Sequence, residues 1–445
     1  MTTRIFHAST AAATALLAAA IDAGCFAGPG RRLLLLSRTG PVPEAVPDVA
    51  DTSGFERLRT RFDEVVSWND AISPFHPDGW LPRADDVPLW ERHFRRAFCL
   101  GDQAVELVVE SPHAGPARAL AEIFTGVPID VYADGPAAYG PTGGKVPPLV
   151  GTRVRRLLHG DLVAGVRPLL LGEFGVEPES VPADAVMRVV ADMADAAVGI
   201  PDAEAPVLLL GQDLAGAGLV SAAEEEELRR SMVRGAAALG HTRMVFAPHA
   251  GGPVGSWTAL RAEAARLGVE LTVLETPSPV ATDALLHRLR PALVVGCTSA
   301  ALLRAARFHG LAAATVGTGM LLERLTPYEN AERTAATVVD ALLPDLADAD
   351  AVAARKPGVA AEVDGLLAAV GFAMRPRVRP DLRPAAERYL SGRLDGHTWR
   401  YFKRRRLASL ALPGVVPARL AFLRRNATLR RVARRARALK GSGRG

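Results

Sequence analysis

Short apolar runs alternate with segments of helical spacing along most of the chain. In the first half, apolar runs bounded by turn residues predict strands at 4–8, 33–37, 105–110 and 129–132. In the second half, similar runs predict strands at 207–210, 242–247, 271–274, 292–296 and 311–316. Strands that alternate with helices predict parallel sheets whose two faces are both covered by helices. The pattern therefore predicts an α/β protein.

The helices predicted between these strands cover residues 9–23, 117–124, 224–239, 256–267, 281–289 and 300–310. Residues 55–66 and 89–97 are rich in charge and predict surface helices, and residues 149–158 predict a further helix. The alanine-rich segment 11–20 resembles the apolar region of a signal peptide. We interpret it as a helix instead, because a strand lies on each side and Ser9 or Thr10 is placed to cap it.

The length of the chain and the positions of its prolines predict the domain organisation. A chain of 445 residues, 49% of them hydrophobic, has room for two or three domains at about 100–200 residues each. Prolines cluster between the two alternating series, so we place the boundary near residue 200. The expected units are residues 1–200, residues 201–385 and a basic tail at 386–445. Two α/β units joined in this way form a cleft between them, which is a common place for a ligand.

Charge is unevenly distributed. Residues 400–445 contain 15 Lys and Arg and no Asp or Glu, so the preceding residues carry a net −10 within a chain of +5. A basic amphipathic tail predicts binding to an anionic membrane surface. A polyanionic glycan or a solubilising role are alternatives, and no base-reading motif accompanies the charge. The three cysteines are isolated, which favours a reducing compartment.

Candidate chemistry begins at Asp134-Gly135, directly after the strand predicted at 129–132. Asp-Gly is a common turn pair. It also places a carboxylate at the C-terminal edge of a parallel sheet, where open α/β sheets bind ligands, and the glycine is expected to allow a sharp turn. Asp134 is therefore a candidate catalytic group, with Gly135 a candidate for substrate contact.

Two segments of the second half have the same placement. Pro248 and His249 follow the strand at 242–247, and a histidine there can contact phosphate or act as a general acid. Thr298 and Ser299 follow the strand at 292–296 and begin a helix. Hydroxyl groups beside the free N–H groups of a helix start form an anion site, although such residues also cap helices that bind nothing.

These segments resemble the bacterial alpha-2,8-polysialyltransferase-like family. The resemblance spans most of residues 1–330 and rests on ELVVES, IFTGVPIDVYADGPAAYGPT, RVRRLLHGDLVAGVRPLLLGEF, APHAGG and GCTSA. Bacterial sialyltransferases share an acidic-acidic-Gly turn, a His-Pro pair and a Ser/Thr-Ser pair. The resemblance implies a GT-B fold, in which two Rossmann-like domains face each other across a cleft, and a CMP-sialic acid donor.

The resemblance also implies roles for individual residues. Asp134 would be the base on the acceptor hydroxyl, and His249 would contact the nucleotide phosphate. Thr298 and Ser299 would bind donor phosphate or carboxylate, and Ser9 and Pro248 are expected beside the substrate. Two positions depart from the pattern, because Ala133 replaces the first acid and Ala250 follows the histidine.

The missing acid leaves rivals for the role of base, namely Asp130 and Glu110. Arg153, Arg155, Arg156 and His159 follow in sequence. They would contact an anionic acceptor or, more simply, line a solvated helix face.

We expect a glycosyltransferase that transfers sialic acid with inversion to a cell-surface glycan such as a capsule polysaccharide. No cofactor is expected, and no cluster of His and Cys predicts a metal site. The expected location is the cytoplasm, at the inner face of the plasma membrane. The alternatives are a GT-B transferase that uses another nucleotide sugar, and a catalytically weakened scaffold that binds glycan or membrane.

Overall fold

The computed structural model describes residues 2–40, 42–113, 115–249, 257–274, 280–354 and 360–414. The first sheet has seven parallel strands in the order β3-β2-β1-β4-β5-β6-β7. Its strands are β1 (Thr2–Ala8), β2 (Arg31–Leu36), β3 (Glu64–Ser67), β4 (Ala104–Val109), β5 (Ile129–Ala133), β6 (Val154–His159) and β7 (Glu177–Ser180).

The second sheet has five parallel strands in the order β10-β9-β8-β11-β12. Its strands are β8 (Val207–Leu210), β9 (Arg243–Ala247), β10 (Glu270–Val273), β11 (Leu293–Gly296) and β12 (Ala313–Thr315). In each sheet the strand order reverses beside the first strand of that sheet, at β1/β4 and at β8/β11. This is the doubly wound topology of Rossmann-like domains. The prediction of two parallel α/β units is confirmed.

Helices cover both faces of each sheet. In the first domain they are α1 (Ala11–Asp22), α2 (Phe55–Arg59), α3 (Trp68–Ala71), α4 (Val87–Ala97), α5 (Gly115–Ile123), α6 (Pro148–Gly151) and α7 (Ala183–Ala196). In the second they are α8 (Ala222–Ala238), α9 (Thr258–Leu267), α10 (Thr282–Leu289), α11 (Ala300–Arg307), α12 (Thr318–Arg324), α13 (Glu332–Leu342), α14 (Ala349–Ala354), α15 (Ala360–Met374), α16 (Arg383–Gly392) and α17 (Arg404–Leu410). The alanine-rich segment forms α1, which Thr10 caps by accepting from the Ala13 N–H.

Two predicted helices are wrong. Residues 149–158 form the short α6 and then strand β6, and residues 55–66 form α2 and the beginning of β3. Both errors have the same cause. Strand β6 carries Arg155 and Arg156, which pair with Asp130 of β5, and β3 begins with Glu64, which pairs with Arg31 of β2. The apolar runs that signalled the other strands are therefore only two residues long in β3 and β6.

The two domains pack together through helices beside the cleft. Helix α7 of the first domain lies against α10 of the second. Later elements return to the first domain, where the Arg379 guanidinium donates to the Leu169 carbonyl at 2.6 Å. Part of the basic tail also packs, because Tyr401, Leu407 and Leu412 are buried. Residues 415–445, which carry most of the predicted tail, lie outside the described residues.

Among the helices of the described residues, none combines the length and the apolarity that crossing a bilayer requires.

Candidate functional site

The candidate site lies where the C-terminal edges of the two sheets meet. Asp134 follows β5 and is half-buried. Its neighbour Gly135 comes close to α11 of the other domain, since a Cβ built on Gly135 would lie 4.0 Å from the Ala300 Cβ. The turn at Asp134-Gly135, which we call the acid turn, therefore lies close to the start of α11, the helix that Ser299 caps. The two segments are more than 160 residues apart in the chain.

The structure does not require a glycine at position 135. Gly135 has φ −132° and ψ 175°, which is extended backbone open to any residue. The 4.0 Å separation from Ala300 is ordinary van der Waals contact. The chain does bend at Gly135, but neither the backbone angles nor the surrounding atoms require glycine there, so the expectation that the turn depends on glycine is wrong.

A second acid, Glu110, lies at the end of the neighbouring strand β4. Its carboxylate accepts from the Ser9 N–H at 2.7 Å and from the Ser9 hydroxyl at 2.9 Å. The Tyr132 hydroxyl donates to it at 3.1 Å. Burial raises the pKa of Glu110, against the hydrogen bonds from Ser9 and Tyr132, which lower it. Both donor groups of Ser9 therefore point to Glu110, and the predicted contact of Ser9 with substrate stays a prediction.

Cationic and anionic groups of the second domain face the acid turn. Arg304 on α11 donates to Asp283 on α10 at 2.8 Å, and both side chains line a small cavity with Asp134 and His309. The cavity has a volume of about 20 Å³, enough for one water molecule. Burial raises the pKa of Asp134, Arg304 lowers it, and the charges of Glu110 and Asp283 raise it further. A carboxyl group with a raised pKa holds a proton more readily, which suits a general base.

The hydroxyl pair of the second domain is held by a glutamine. Ser299 caps α11 by accepting from the Ala301 N–H at 3.3 Å. The Gln212 side-chain oxygen accepts from the N–H groups of Cys297 and Thr298 at 3.0 and 2.8 Å. Its amide nitrogen donates to the Thr298 hydroxyl at 3.0 Å. Gln212 thus fixes the turn that carries both hydroxyl groups at the β8/β11 switch point.

His249 follows β9, as predicted, and its side chain is exposed, whereas Pro248 is buried. A Cβ built on Gly211, directly after β8, would lie 3.1 Å from the His249 backbone nitrogen. The histidine segment therefore lies beside the turn that carries Gln212. Ala250 lies outside the described residues.

Asp130 is not part of this edge. Its carboxylate is buried and paired with Arg155 at 2.9 Å and with Arg156 at 3.1 Å, and Arg156 also pairs with Glu179 at 3.0 Å. The pairing excludes Asp130 as a rival base, because its charge is already neutralised within the sheet. The interpretation of this segment as a solvated helix face is also wrong, since Arg155 and Arg156 lie in β6.

Sequence reasoning missed Gln212, Arg304 and Asp283. Gln212 carries the same signal as the other candidates, a polar residue directly after a buried strand. Arg304 and Asp283 lie within helices and are 21 residues apart. Nothing local in the sequence shows that they meet each other or face Asp134.

Two Rossmann-like domains face each other here, with an acid turn on one side and a hydroxyl-capped helix start on the other. This is the arrangement of a GT-B glycosyltransferase, and the sequence agrees. Residues 4–318 match the family described as alpha-2,8-polysialyltransferase (POLYST). The chain belongs to this family and is a glycosyltransferase. The family resemblance seen in the sequence is confirmed.

Comparison with curated proteins gave no match. Among solved structures, similarity extends to UDP-GlcNAc 2-epimerase from Methanocaldococcus jannaschii, at 10% identity, TM-score 0.44, and coverage of 80% of this chain and 91% of that one. A sialyltransferase from Photobacterium damsela aligns at 12% identity and TM-score 0.39, covering 68% of this chain and 71% of that one. MurG from Acinetobacter baumannii aligns at 11% identity and TM-score 0.40, covering 87% and 94% respectively. The family assignment rests on the sequence match.

Proposed function

We propose that this protein transfers sialic acid from CMP-sialic acid to a glycan acceptor, with inversion at the anomeric carbon. The observation that carries the proposal is the approach of Asp134-Gly135 to the start of α11, in a chain of the alpha-2,8-polysialyltransferase family. A base on one side of a cleft and an anion-binding helix start on the other are what a sugar transfer between two bound substrates requires.

On the acceptor side, Asp134 takes the proton of the attacking sugar hydroxyl. Its half-buried position at the sheet edge and its raised pKa support this role. The acceptor oxygen forms a bond to the anomeric carbon from the face opposite the nucleotide. The bond between that carbon and the phosphate oxygen breaks at the same time, so CMP leaves with the electron pair and the configuration inverts.

On the donor side, the turn fixed by Gln212 presents Thr298 and Ser299 to the anionic groups of the donor. His249, on the next strand end, donates a hydrogen bond to the phosphate. Charge develops on the phosphate as CMP leaves, so donors already in place stabilise the transition state without having to reorient.

The basic tail supports a location at an anionic membrane surface, where a growing cell-surface or capsule glycan would be presented. The described part of the tail is partly neutralised, because Arg400 pairs with Asp340 at 3.2 Å and Arg406 pairs with Glu329 at 2.6 Å. Membrane binding is therefore proposed for residues 415–445, with the protein at the cytoplasmic face.

The decisive experiment is a donor panel with the full chain. CMP-sialic acid is compared with UDP- and GDP-sugars by thermal shift, and then by transfer to oligosialic and other glycan acceptors. We expect stabilisation and turnover with CMP-sialic acid. D134N should lower kcat by about 10²- to 10⁴-fold, the usual contribution of a general base. Turnover with another donor class would replace the proposed donor.

Asp348 offers a matched control for the aspartate, because it is exposed and lies before α14, outside the cleft. D348N should behave as the wild type. A folded protein that binds no nucleotide sugar, yet still binds glycan or vesicles, would support the weakened scaffold and contradict the proposal.

Membrane binding has its own test. A chain ending at Gly414 keeps the buried Leu407 and Leu412 and should melt as the full chain does. The shortened chain should no longer co-sediment with vesicles that contain phosphatidylserine, whereas the full chain should. Neither chain should bind vesicles of phosphatidylcholine alone. Equal binding by both chains would contradict the proposed role of the tail.

A further inference from the structure

A second carboxylate, that of Glu110, directly follows the neighbouring strand β4 at the sheet edge where Asp134 follows β5. In the parallel pair of β4 and β5, Val109 aligns with Val131, so the next residues along, Glu110 and Tyr132, stand side by side. The Tyr132 hydroxyl donates to Glu110 at 3.1 Å. Asp134 is two residues beyond Tyr132, and residues two apart in extended backbone point to the same face. Glu110 and Asp134 thus occupy one edge of the sheet.

Glu110 is held in place as a hydrogen-bond acceptor. Ser9 donates through its backbone N–H at 2.7 Å and through its hydroxyl at 2.9 Å. Tyr132 is fully buried, and its single hydroxyl proton is shared between the His7 carbonyl at 2.8 Å and the Glu110 carboxylate at 3.1 Å. An ionised carboxyl group accepts hydrogen bonds and cannot donate them, so the two donors of Ser9 favour the charged form of Glu110 and oppose the burial that raises its pKa.

We propose that Glu110 is a positioning residue whose fixed negative charge strengthens Asp134 as the base. The inference rests on the proposed function, in which Asp134 accepts the proton of the acceptor hydroxyl. A negative charge nearby makes a second ionised carboxylate more costly, so Asp134 gains affinity for a proton. Pairs of acids in unlike surroundings commonly divide their roles in this way.

Other charged and titratable groups face Asp134 and set the balance. Arg304 on α11 opposes Glu110 by favouring the ionised form of Asp134, and Asp283 on α10 acts in the same direction as Glu110. His309, which follows α11, lines the same cavity. Glu110 differs from these groups because it belongs to the same sheet as Asp134 and is fixed by backbone and side-chain donors.

The test compares E110Q and E110D with E106Q. Glutamine keeps the size and the acceptor oxygen of Glu110 but removes its charge. Aspartate keeps the negative charge, but its shorter side chain moves the carboxylate away from the hydrogen-bond donors of Ser9 and Tyr132. Glu106 is the matched control, because it lies in the same strand and pairs with Arg4 at 2.7 Å and Arg155 at 3.2 Å, away from Asp134.

For E110Q we expect the acidic limb of the kcat/KM profile to move to lower pH. We also expect the plateau kcat to fall about tenfold, with KM for the acceptor within about twofold, because the base weakens while binding is kept. E110D should move the limb less, in the same direction, and E106Q should match the wild type. Thermal melts verify that each variant is folded. An unmoved acidic limb in folded E110Q, or in E110D if E110Q does not fold, would overturn the proposal.

A second readout does not depend on turnover. Infrared titration follows the protonated carboxyl band of Asp134, identified by its loss in D134N. In E110Q this band should disappear at lower pH than in the wild type. If the wild type transfers no sugar but the band still moves, the proposed function fails and the pairing stands. If transfer occurs and the band does not move, the pairing fails.

Discussion

Replacing Arg304 by methionine tests the electrostatics at the domain junction. The Arg304 Nε donates to Asp283 Oδ1 at 2.8 Å, and the two side chains are 14% and 7% exposed. Methionine fills similar volume but leaves the Asp283 carboxylate buried without its cation. It also removes the positive charge that favours ionised Asp134. We expect a large loss of stability and a shift of the acidic limb of activity to higher pH.

The magnitude follows from burial. Breaking a buried ion pair by removing one partner costs about 3–5 kcal/mol. For a domain of about 150–250 residues, each kcal/mol corresponds to about 2–4 °C in Tm, so R304M should lower Tm by about 6–20 °C. The assay is differential scanning calorimetry at neutral pH. Replacing both partners, in R304M with D283L, should recover much of the loss because no buried charge remains unpaired.

Arg307 is the matched control on the same helix. It pairs with Asp161 of the first domain at 2.7 Å, but these side chains are 36% and 28% exposed. A solvent-exposed pair contributes about 0–1 kcal/mol, so R307M should lower Tm by less than about 4 °C. A loss in R304M no larger than that in R307M would refute the reasoning, since it would show that solvent screens both pairs equally.

Three further predictions concern the polar side chains of Asp134, His7 and Gln212. In urea unfolding, D134N should be more stable than the wild type at pH 8 and equal to it at pH 4. The raised pKa of Asp134 means that its ionised form destabilises the fold, and this cost disappears when the carboxyl group is protonated. Equal stability of the two proteins at both pH values would contradict this. Burial lowers the pKa of His7 from 6.5 to about 4, so stability that is present above pH 6.5 is lost as the pH falls. The wild type should lose about 3 kcal/mol from this group between pH 7 and pH 4, and H7Q should show a flatter curve in acid unfolding. Q212L should leave the N–H groups of Cys297 and Thr298 without their acceptor and weaken CMP binding by about tenfold in calorimetry, a cost of about 1–3 kcal/mol; unchanged affinity would show that Gln212 does not position the donor turn.

Most of the second sheet could be predicted because β8, β9, β11 and β12 are short, mainly apolar and largely buried, whereas the edge strand β10 is partly exposed. Strand β8, for example, is wholly buried and occurs where its run of leucines predicts it. The strands of the first sheet are less predictable from sequence, because β6 carries Arg155 and Arg156, whose partner Asp130 lies in another strand. A charge neutralised across strands looks in sequence like a charge facing water. The same ambiguity makes Asp130 a rival base in the sequence, whereas its ion pairs in the structure exclude it from that role.

The sequence by itself determined the α/β class, the family and the strand ends that carry Asp134, His249 and the Thr298-Ser299 pair. It could do so because local patterns of apolar, polar and turn residues indicate which segments are buried strands and which polar residues follow them. Tertiary structure decided which groups meet. The partnership of Glu110 with Asp134, and of Arg304 with Asp283, depends on strand order and helix packing, which bring together residues that are distant in the chain and carry no local mark of their contact.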